Sequence, residues 1–143
     1  MGAVNSILRA KGNDTFTIHP GTIVYDALEI MVEKNVSALL VMEDDKLAGI
    51  FTERDYARKV ILKGKASKET KIGEIMTRDL ITVAPDTSLD SCMRLMTGKH
   101  IRHLPVVDNG QLAGIISIGD VVKYIIEEQK FIIENMEHYI TSG

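Results

Sequence analysis

Apolar positions along the chain fall into a series of short strands and helices that appears twice. A short apolar strand leads into a proline turn at Phe16 to Ile18, and again at Ile81 to Val83. A helix is predicted after each turn, because apolar side chains recur there at spacings of three and four residues. Those positions are Val24, Leu28, Met31 and Val32 in the first series, and Leu89, Met93 and Met96 in the second. The methionines are expected to fill core space.

A pair of strands and a further helix complete each series. The strands are predicted at Ala38 to Met42, Leu47 to Phe51, Leu104 to Val107 and Leu112 to Ile116. Asn109-Gly110 joins the last two, and this dipeptide favours a tight hairpin because both residues tolerate positive φ. Since the strands are almost continuously apolar, both faces of each sheet are expected to be covered. The closing helices are predicted to begin at Glu53 and Ile118.

The second series repeats the first with a constant offset and no gap. The shift that places Pro20 on Pro85 also superimposes Leu47-Ala48-Gly49-Ile50 on Leu112-Ala113-Gly114-Ile115, and Asp55 on Asp120. A solenoid usually needs at least about three repeats, so a pseudo-symmetric pair is predicted. The fold class is therefore α+β, with two β-α-β-β-α repeats packed as one module. The predicted segments are a lead-in helix (1–14), repeat 1 (15–62), a connector (63–79), repeat 2 (80–127) and a helical extension (128–143).

The last helix is predicted to continue beyond Ile126, where the repeat itself should end. Its apolar stripe runs through Val122, Ile125, Gln129, Ile132, Ile133, Met136 and Ile140. A stripe of this length needs a partner to cover it. We consider two partners, a second copy of the chain and the chain's own repeats. A homodimer is preferred, because a closed two-fold pair is the commonest assembly of small proteins.

Length and composition exclude several classes of protein. The 143 residues are 45% apolar and 26% charged, with a net charge of −3, as in ordinary globular domains. The negative charge disfavours a general nucleic-acid surface, and no apolar run reaches the ~20 residues that span a bilayer. No secretory signal is visible, and Cys92 is the single cysteine, so it cannot form an internal disulfide. A cytoplasmic protein without nucleic-acid or membrane partners is predicted.

Two segments outside the repeats carry alternative hypotheses. Met1 to Ser6 matches the N-myristoylation pattern, but the residues that follow look like the apolar side of a short helix ended by Gly12, and the helix is preferred. The connector carries four lysines, Lys63, Lys65, Lys68 and Lys71. It is interpreted as a solvated linker, with the alternative that some of these lysines reach ligand phosphates.

Each repeat ends a strand with a hydroxyl residue and has an aspartate three positions later, in Thr52-Glu53-Arg54-Asp55 and Ser117-Ile118-Gly119-Asp120. These are capping-box patterns, which need no ligand. The same arrangement suits a ribose, because one carboxylate can accept two hydrogen bonds from a vicinal diol. Free N–H groups at the helix start favour a nearby anion, and Gly49 and Gly114 allow other groups to approach closely. Both interpretations remain open at this point.

Arg102 and His103 form a basic pair that repeat 1 lacks, since Ser37 and Ala38 stand at its positions. Arginine grips phosphate in a fork, and His103 could donate a hydrogen bond or add positive charge near neutral pH. The alternative is a pair of surface or salt-bridge residues. Support for catalysis is weak, because the chain has no nucleophile elbow, phosphate loop, dinucleotide fingerprint or zinc pattern. We predict no catalytic and no metal-binding residues.

Together these features resemble a known family. The internal repeat, the two Gly-Ile-x-Thr/Ser-x-x-Asp segments, Glu74-Ile75-Met76-Thr77 and the run from Ile101 to Asp108 are similar to tandem cystathionine-β-synthase (CBS) domains. The resemblance covers the chain from about Ser6 to Ile126. It implies a pseudo-two-fold pair, often called a Bateman module, with two clefts between the repeats. It also implies ligands such as AMP, ADP, ATP, NAD(H) or S-adenosylmethionine.

The resemblance assigns roles to individual residues. Ribose would be held by Thr52, Asp55, Ser117 and Asp120; the base by main chain near Ile18, Ser37, Ala38, Val83 and Pro105; and phosphate by Arg102, His103 and Arg54. It also implies regulation, because most members are attached to an enzyme, channel or transporter that they control. We expect a sensor of energy or redox state that acts on a separate protein and is not an enzyme. The alternatives are an interaction module with vestigial clefts and a small nucleotide-processing enzyme.

Overall fold

The computed structural model describes residues 2–142, with side chains as far as Ile140. Met1, which opens the lipidation pattern, and Gly143, which ends the predicted extension, lie outside the described residues. The chain forms α1 (Val4–Lys11), β1 (Thr17–Ile18), α2 (Val24–Lys34), β2 (Ala38–Glu43), β3 (Lys46–Thr52), α3 (Glu53–Asp55), a π-helix (Tyr56–Ile61), α4 (Ile72–Ile75), α5 (Leu89–Lys99), β4 (His103–Asp108), β5 (Gln111–Ser117) and α6 (Ile118–Ser142). The predicted α+β fold with a long C-terminal helix is confirmed.

Each repeat contributes one small sheet. β1 pairs in parallel with β2, β2 pairs antiparallel with β3, and β4 pairs antiparallel with β5. The strand predicted at Ile81 to Val83 is wrong in extent, because only Val83 bridges to β4. Its N–H donates to the Pro105 carbonyl at 3.0 Å, and its carbonyl accepts from the Val107 N–H at 2.8 Å. Pro85 follows closely and cannot donate to a ladder, which limits this segment.

The lead-in helix α1 comes directly before repeat 1 in sequence, but it packs into the core of repeat 2. Val4 and Ile7 are buried in the apolar cluster of repeat 2. The Val4 N–H donates to the Thr87 carbonyl at 2.9 Å, which fixes the start of the helix. Gly12 closes its C-terminus with a φ of 90° and an N–H bond to the Leu8 carbonyl, as the sequence predicted.

The connector shows the reciprocal arrangement. Its α4 precedes repeat 2, yet Ile72, Ile75 and Met76 are buried in the apolar cluster of repeat 1. The Ile72 N–H donates to the Thr22 carbonyl at 2.8 Å. The interpretation as a wholly solvated connector is therefore wrong for this half, because it supplies core side chains. The four lysines that suggested solvation are exposed, and they are Lys63, Lys65, Lys68 and Lys71.

Two glycines permit this exchange of segments. A Cβ atom on Gly49 would lie 2.8 Å from the Thr77 carbonyl oxygen, and one on Gly114 would lie 2.9 Å from Leu8 Cδ2. Beside Gly49, the main chains of Ile50 and Thr77 exchange hydrogen bonds of 3.0 and 2.9 Å. The close approach expected at Gly49 and Gly114 is thus made by the segments that precede the repeats.

The two repeats meet through a third, smaller apolar cluster. Ala38, Leu40 and Ile50 are its buried members, and Leu80, Leu112 and Ile115 of the second half pack against them. The apolar faces of β2 and β3 therefore face both their own helices and the other repeat. This agrees with the near-continuous apolar character of these strands.

The helices that follow the two hairpins differ between the repeats. In repeat 1 the helix begins at Glu53, as predicted, but changes after one turn into the π-helix Tyr56–Ile61. In repeat 2 the helix α6 continues unbroken to Ser142. Residues 129–140 of α6 are all exposed, so the hypothesis that the stripe folds back over the chain's own repeats is wrong for this part, whereas Ile125 packs against the core of repeat 2.

We expect Gly49→Ala to destabilise the protein by about 1–3 kcal/mol, because the added carbon would collide with the backbone of Thr77. Gly98→Ala is the matched control, since a Cβ there meets nothing within 4 Å and the residue lies in α5. It should stabilise by about 0.5–1 kcal/mol, the usual gain of alanine over glycine in a helix. Equal free energies of unfolding for the two variants in urea titrations would contradict the close approach.

Ile7→Ala should lower the free energy of unfolding by about 2–4 kcal/mol, because it removes a side chain buried in the core of repeat 2. Arg9→Ala is the control on the same helix, where the side chain is exposed, and it should change stability by less than about 0.5 kcal/mol. If both variants unfold like the parent chain, α1 is not part of that core.

Candidate functional site

The two hydroxyl–aspartate pairs close the starts of the helices that follow β3 and β5. Asp55 Oδ2 accepts from the Thr52 N–H at 3.0 Å, and the Asp55 N–H donates to Thr52 Oγ1 at 3.1 Å. Asp120 Oδ2 accepts from the Ser117 N–H at 2.8 Å, and its own N–H donates to Ser117 Oγ at 3.1 Å. Both capping boxes are therefore formed. Each uses one carboxylate oxygen, so the other is left for further bonds.

In repeat 1 that second oxygen is already engaged. Thr77 Oγ1 donates to Asp55 Oδ1 at 2.9 Å, and Lys59 Nζ lies 3.1 Å from the same atom. Lys59 also donates to Thr77 Oγ1 at 3.2 Å, and Asp55 as a whole is only 7% exposed. A ribose at Asp55 would have to replace one of these partners.

In repeat 2 the carboxylate is more open. Lys11 Nζ lies 2.7 Å from Asp120 Oδ2, the oxygen that also serves the capping box, and a quarter of the Asp120 side chain is exposed. Burial by itself would raise the pKa of Asp120, but the hydrogen bonds from Lys11 and Ser117 and the charge of Lys11 hold that pKa below its ordinary value. Asp120 is therefore an anion at neutral pH.

A cavity of about 280 Å³ lies beside Lys11, the cation of this ion pair. It is lined by Lys11, Gly12, Asp14, Phe16, Val36, Ala38, Leu40 and Ile115. Its walls come from the lead-in and repeat 1 on one side and from β5 of repeat 2 on the other. The cavity therefore lies between the repeats, and the predicted base residue Ala38 belongs to its lining.

The basic pair lies near the same place. His103 Nε2 is 3.0 Å from Ser37 Oγ, which joins the predicted phosphate residue to the predicted base segment across the repeats. Burial lowers the pKa of His103, the positive charges of Lys11 and Arg102 reinforce this, and Asp120 opposes it. His103 is thus mainly neutral at pH 7 and suits hydrogen bonding better than charge. Arg102 is exposed.

The remaining predicted residues make contacts of their own. Arg54 Nη1 donates to the His100 carbonyl at 2.6 Å, so this predicted phosphate contact reaches from repeat 1 to repeat 2. The main chains of Val83 and Pro105 bond to each other at 3.0 Å. Ile18 is buried in the core of repeat 1 and pairs with Val41.

Sequence reasoning missed Lys11 and Lys59, the cations that contact the two aspartates. Lys11 and Asp120 are separated by 109 positions, so no local pattern connects them. Lys59 is four residues from Asp55, a spacing at which helical side chains meet. That spacing was a usable signal.

Neither metal binding nor thiol catalysis is supported by the described residues. No group of three His, Cys, Asp or Glu side chains among these residues is placed to hold a metal ion. Burial raises the pKa of the Cys92 thiol, which makes it a poor nucleophile. Within residues 2–142, no helix combines the length and apolar character needed to cross a membrane.

Comparison with known proteins agrees with the internal repeat. The family model of the CBS domain matches residues 11–62 and 72–127. The mitochondrial CBS domain-containing protein CBSX3 of Arabidopsis thaliana is 46% identical over 125 residues, which are 84% of this chain and 61% of that relative. The chain therefore spans less than two thirds of that relative's length.

Solved structures place the fold in the same family. A protein with CBS domains from Burkholderia ambifaria is 51% identical, with a TM-score of 0.86 over 89% of this chain and 96% of that one. The CBS domain pair of protein MJ0100, solved with 5′-methylthioadenosine and S-adenosyl-L-methionine, is 28% identical, with a TM-score of 0.78 over 90% and 98% of the two chains. The chain belongs to the CBS-domain family and consists of a pair of CBS repeats.

Proposed function

We propose that this CBS pair is a regulatory module that binds an adenosine nucleotide in the cleft beside Asp120. The observation that carries the proposal is a cavity between the repeats whose lining includes Lys11, the residue that pairs with the ionised, partly exposed Asp120. The MJ0100 pair, which is similar in fold, was solved with two adenosyl compounds. The same class of ligand suits the groups found in this cleft.

The apolar part of the lining would take the adenine ring. Phe16, Val36, Ala38, Leu40 and Ile115 supply carbon surface on both sides of the cavity. Its volume lies near the lower limit of about 300 Å³ for small-ligand sites, so it would hold the adenosine part of a nucleotide, with the phosphates outside the apolar lining. Main-chain groups near Ser37 and Ala38 would form hydrogen bonds with the edge of the adenine ring, as the family resemblance implies.

The polar end of the cleft would take the sugar and phosphate. Asp120 would accept hydrogen bonds from the ribose diol, and Ser117 would add a hydroxyl beside it. Arg102 and His103 would contact phosphate, with His103 acting as a hydrogen-bond partner because its pKa is lowered. The chain is thus expected to favour AMP, ADP, ATP or NAD(H).

The Asp55 cleft is proposed as a second, weaker site. Thr52 and Asp55 would hold ribose there, with Arg54 near the phosphate and the main chain of Val83 and Pro105 near the base. Because Asp55 is bonded to both Lys59 and Thr77, ligand binding must first break one of these contacts. Occupancy should therefore begin at Asp120.

We propose regulation as the outcome of binding. A ligand between the repeats would contact both of them, and so would shift their relative position or rigidity. The receiver would be a separate protein, and the chain would not itself catalyse a reaction. A cytoplasmic location remains our prediction, although one relative is mitochondrial.

The exposed half of α6 favours a second role, assembly into a homodimer. Ile132, Met136, Tyr139 and Ile140 are all exposed, and with Asn135 they line an apolar groove of about 300 Å³. Exposed apolar surface of this kind usually marks an interface. A second copy is the proposed occupant, because an isologous pair would bring the same stripe from both chains together.

Asp120→Asn should weaken AMP binding by about 1–3 kcal/mol, because it removes a charged hydrogen-bond acceptor. Asp55→Asn is the matched variant, and it should affect stability more than affinity, since Asp55 is buried and bonded to Lys59 and Thr77. Isothermal calorimetry and thermal unfolding measure the two effects. A larger affinity loss in Asp55→Asn would move the main site to the other cleft.

The functional class itself has a separate test. The parent chain, titrated with AMP, ADP, ATP and NADH, should bind at least one of them. Failure of all four would favour the interaction module with vestigial clefts. Turnover of ATP or NADH during long incubation would favour the nucleotide-processing enzyme.

Met136→Glu should shift the protein toward monomer, because it puts a charge into the apolar groove of α6. Lys130→Gln changes the net charge by the same amount at an exposed position outside that groove and should leave the dimer intact. Analytical ultracentrifugation at several protein concentrations reports the shift. A parent chain that sediments as a monomer at high micromolar concentration would end the dimer proposal.

A further inference from the structure

We infer that Lys11 makes the Asp120 cleft selective for adenosine phosphates against neutral nucleosides and cationic adenosyl ligands. The inference rests on the proposed function of that cleft. Lys11 Nζ is 2.7 Å from Asp120 Oδ2, and the lysine also lines the adjoining cavity. One cation thus contacts the expected ribose acceptor and faces the space that a ligand would fill.

The backbone of Lys11 is part of a packed helix, whereas its side chain is partly exposed. It is the last residue of α1, whose Val4 and Ile7 are buried in the core of repeat 2. Asp120 lies in the first turn of α6, and α1 and α6 share the apolar core of repeat 2. The Lys11 side chain is still 34% exposed and has several rotatable bonds. It can therefore turn from Asp120 to an anion in the cavity without a change in the fold.

The lysine competes with ribose for the carboxylate. A diol that takes both oxygens of Asp120 displaces Lys11 at least in part, and that cation loses a charge-assisted bond. A neutral nucleoside offers no replacement, whereas a phosphate does. A sulfonium or amino group would instead place like charge near Lys11. The ion pair thus lowers the affinity for neutral and cationic adenosyl ligands, but not for anionic ones.

The charges around Lys11 agree with this role. Within the cavity lining Lys11 is the cation, and Asp14 is the anion on the same lead-in segment. Both Lys11 and Arg102 act electrostatically on His103. A phosphate beside His103 would therefore be attracted by both cations.

The fold itself does not require a lysine at this position. By the offset of the internal repeat, Lys11 corresponds to Met76, which is buried against Gly49 in the other half of the module. Asp55 receives its cation from Lys59, a residue of its own repeat. The Lys11–Asp120 pair is therefore particular to one cleft, as expected of a residue that serves ligand choice.

The test compares the parent chain with Lys11→Met, which keeps the length of the side chain and removes its charge. Calorimetry at fixed ionic strength would measure the affinities for AMP, adenosine and S-adenosylmethionine. We expect AMP affinity to fall by about tenfold or more, the scale of a lost charged hydrogen bond. Adenosine and S-adenosylmethionine should bind as well as before or better, so the preference for AMP over both shrinks.

Two controls separate ligand choice from structure. Lys11→Arg keeps the charge and should keep the preference for AMP. Arg9→Met removes a charge from an exposed position of the same helix and should leave all affinities unchanged. Thermal unfolding of each variant checks its fold, and Lys11→Gln replaces Lys11→Met if that variant unfolds.

The outcomes distinguish this inference from the function on which it rests. Equal losses for AMP and adenosine in Lys11→Met would overturn it and make Lys11 a structural partner of Asp120. An unchanged preference for AMP would overturn it as well, with nucleotide binding intact. A parent chain that binds none of the three ligands would refute the proposed function instead.

Discussion

The exchange of lead-in segments between the repeats holds the module together. α1 precedes repeat 1 but supplies Val4 and Ile7 to the core of repeat 2, while α4 precedes repeat 2 but supplies Ile72 and Ile75 to the core of repeat 1. Neither core is complete without chain from the other half. Burial of apolar surface therefore fixes the position of one repeat relative to the other. The shape of the cleft between them follows from that position.

The same exchange explains the position of the proposed ligand cleft. Because α1 packs on β5 and α6, its last residue, Lys11, lies beside Asp120, and the following residues line the cavity with β2. The cleft thus has an apolar wall from repeat 1 and a lead-in cation that pairs with an aspartate of repeat 2. A nucleotide in it would contact three segments that are distant in sequence, which is how binding in one cleft would be sensed across the module.

The two equivalent aspartates show how one local motif takes different roles. Asp55 and Asp120 make the same capping bonds, but Lys59 and Thr77 saturate the first while the second remains partly exposed. The π-helical turn after Asp55 carries Lys59, whereas the corresponding helix in repeat 2 is regular. The internal repeat therefore places the two carboxylates at equivalent positions. The residues that contact each carboxylate decide whether it can accept hydrogen bonds from a ligand.

The sequence by itself determined the elements and their repetition, because these depend on local periodicity and on matching residues at a constant offset. It was enough for the α+β class, the helix ended by Gly12, the extension of α6 and the two capping boxes. It overstated the strand at Ile81 to Val83 and treated the connector as solvent-exposed throughout. Only the tertiary structure decided which core each lead-in joins and which cation meets which aspartate, since Lys11 and Asp120 are brought together by packing across 109 positions.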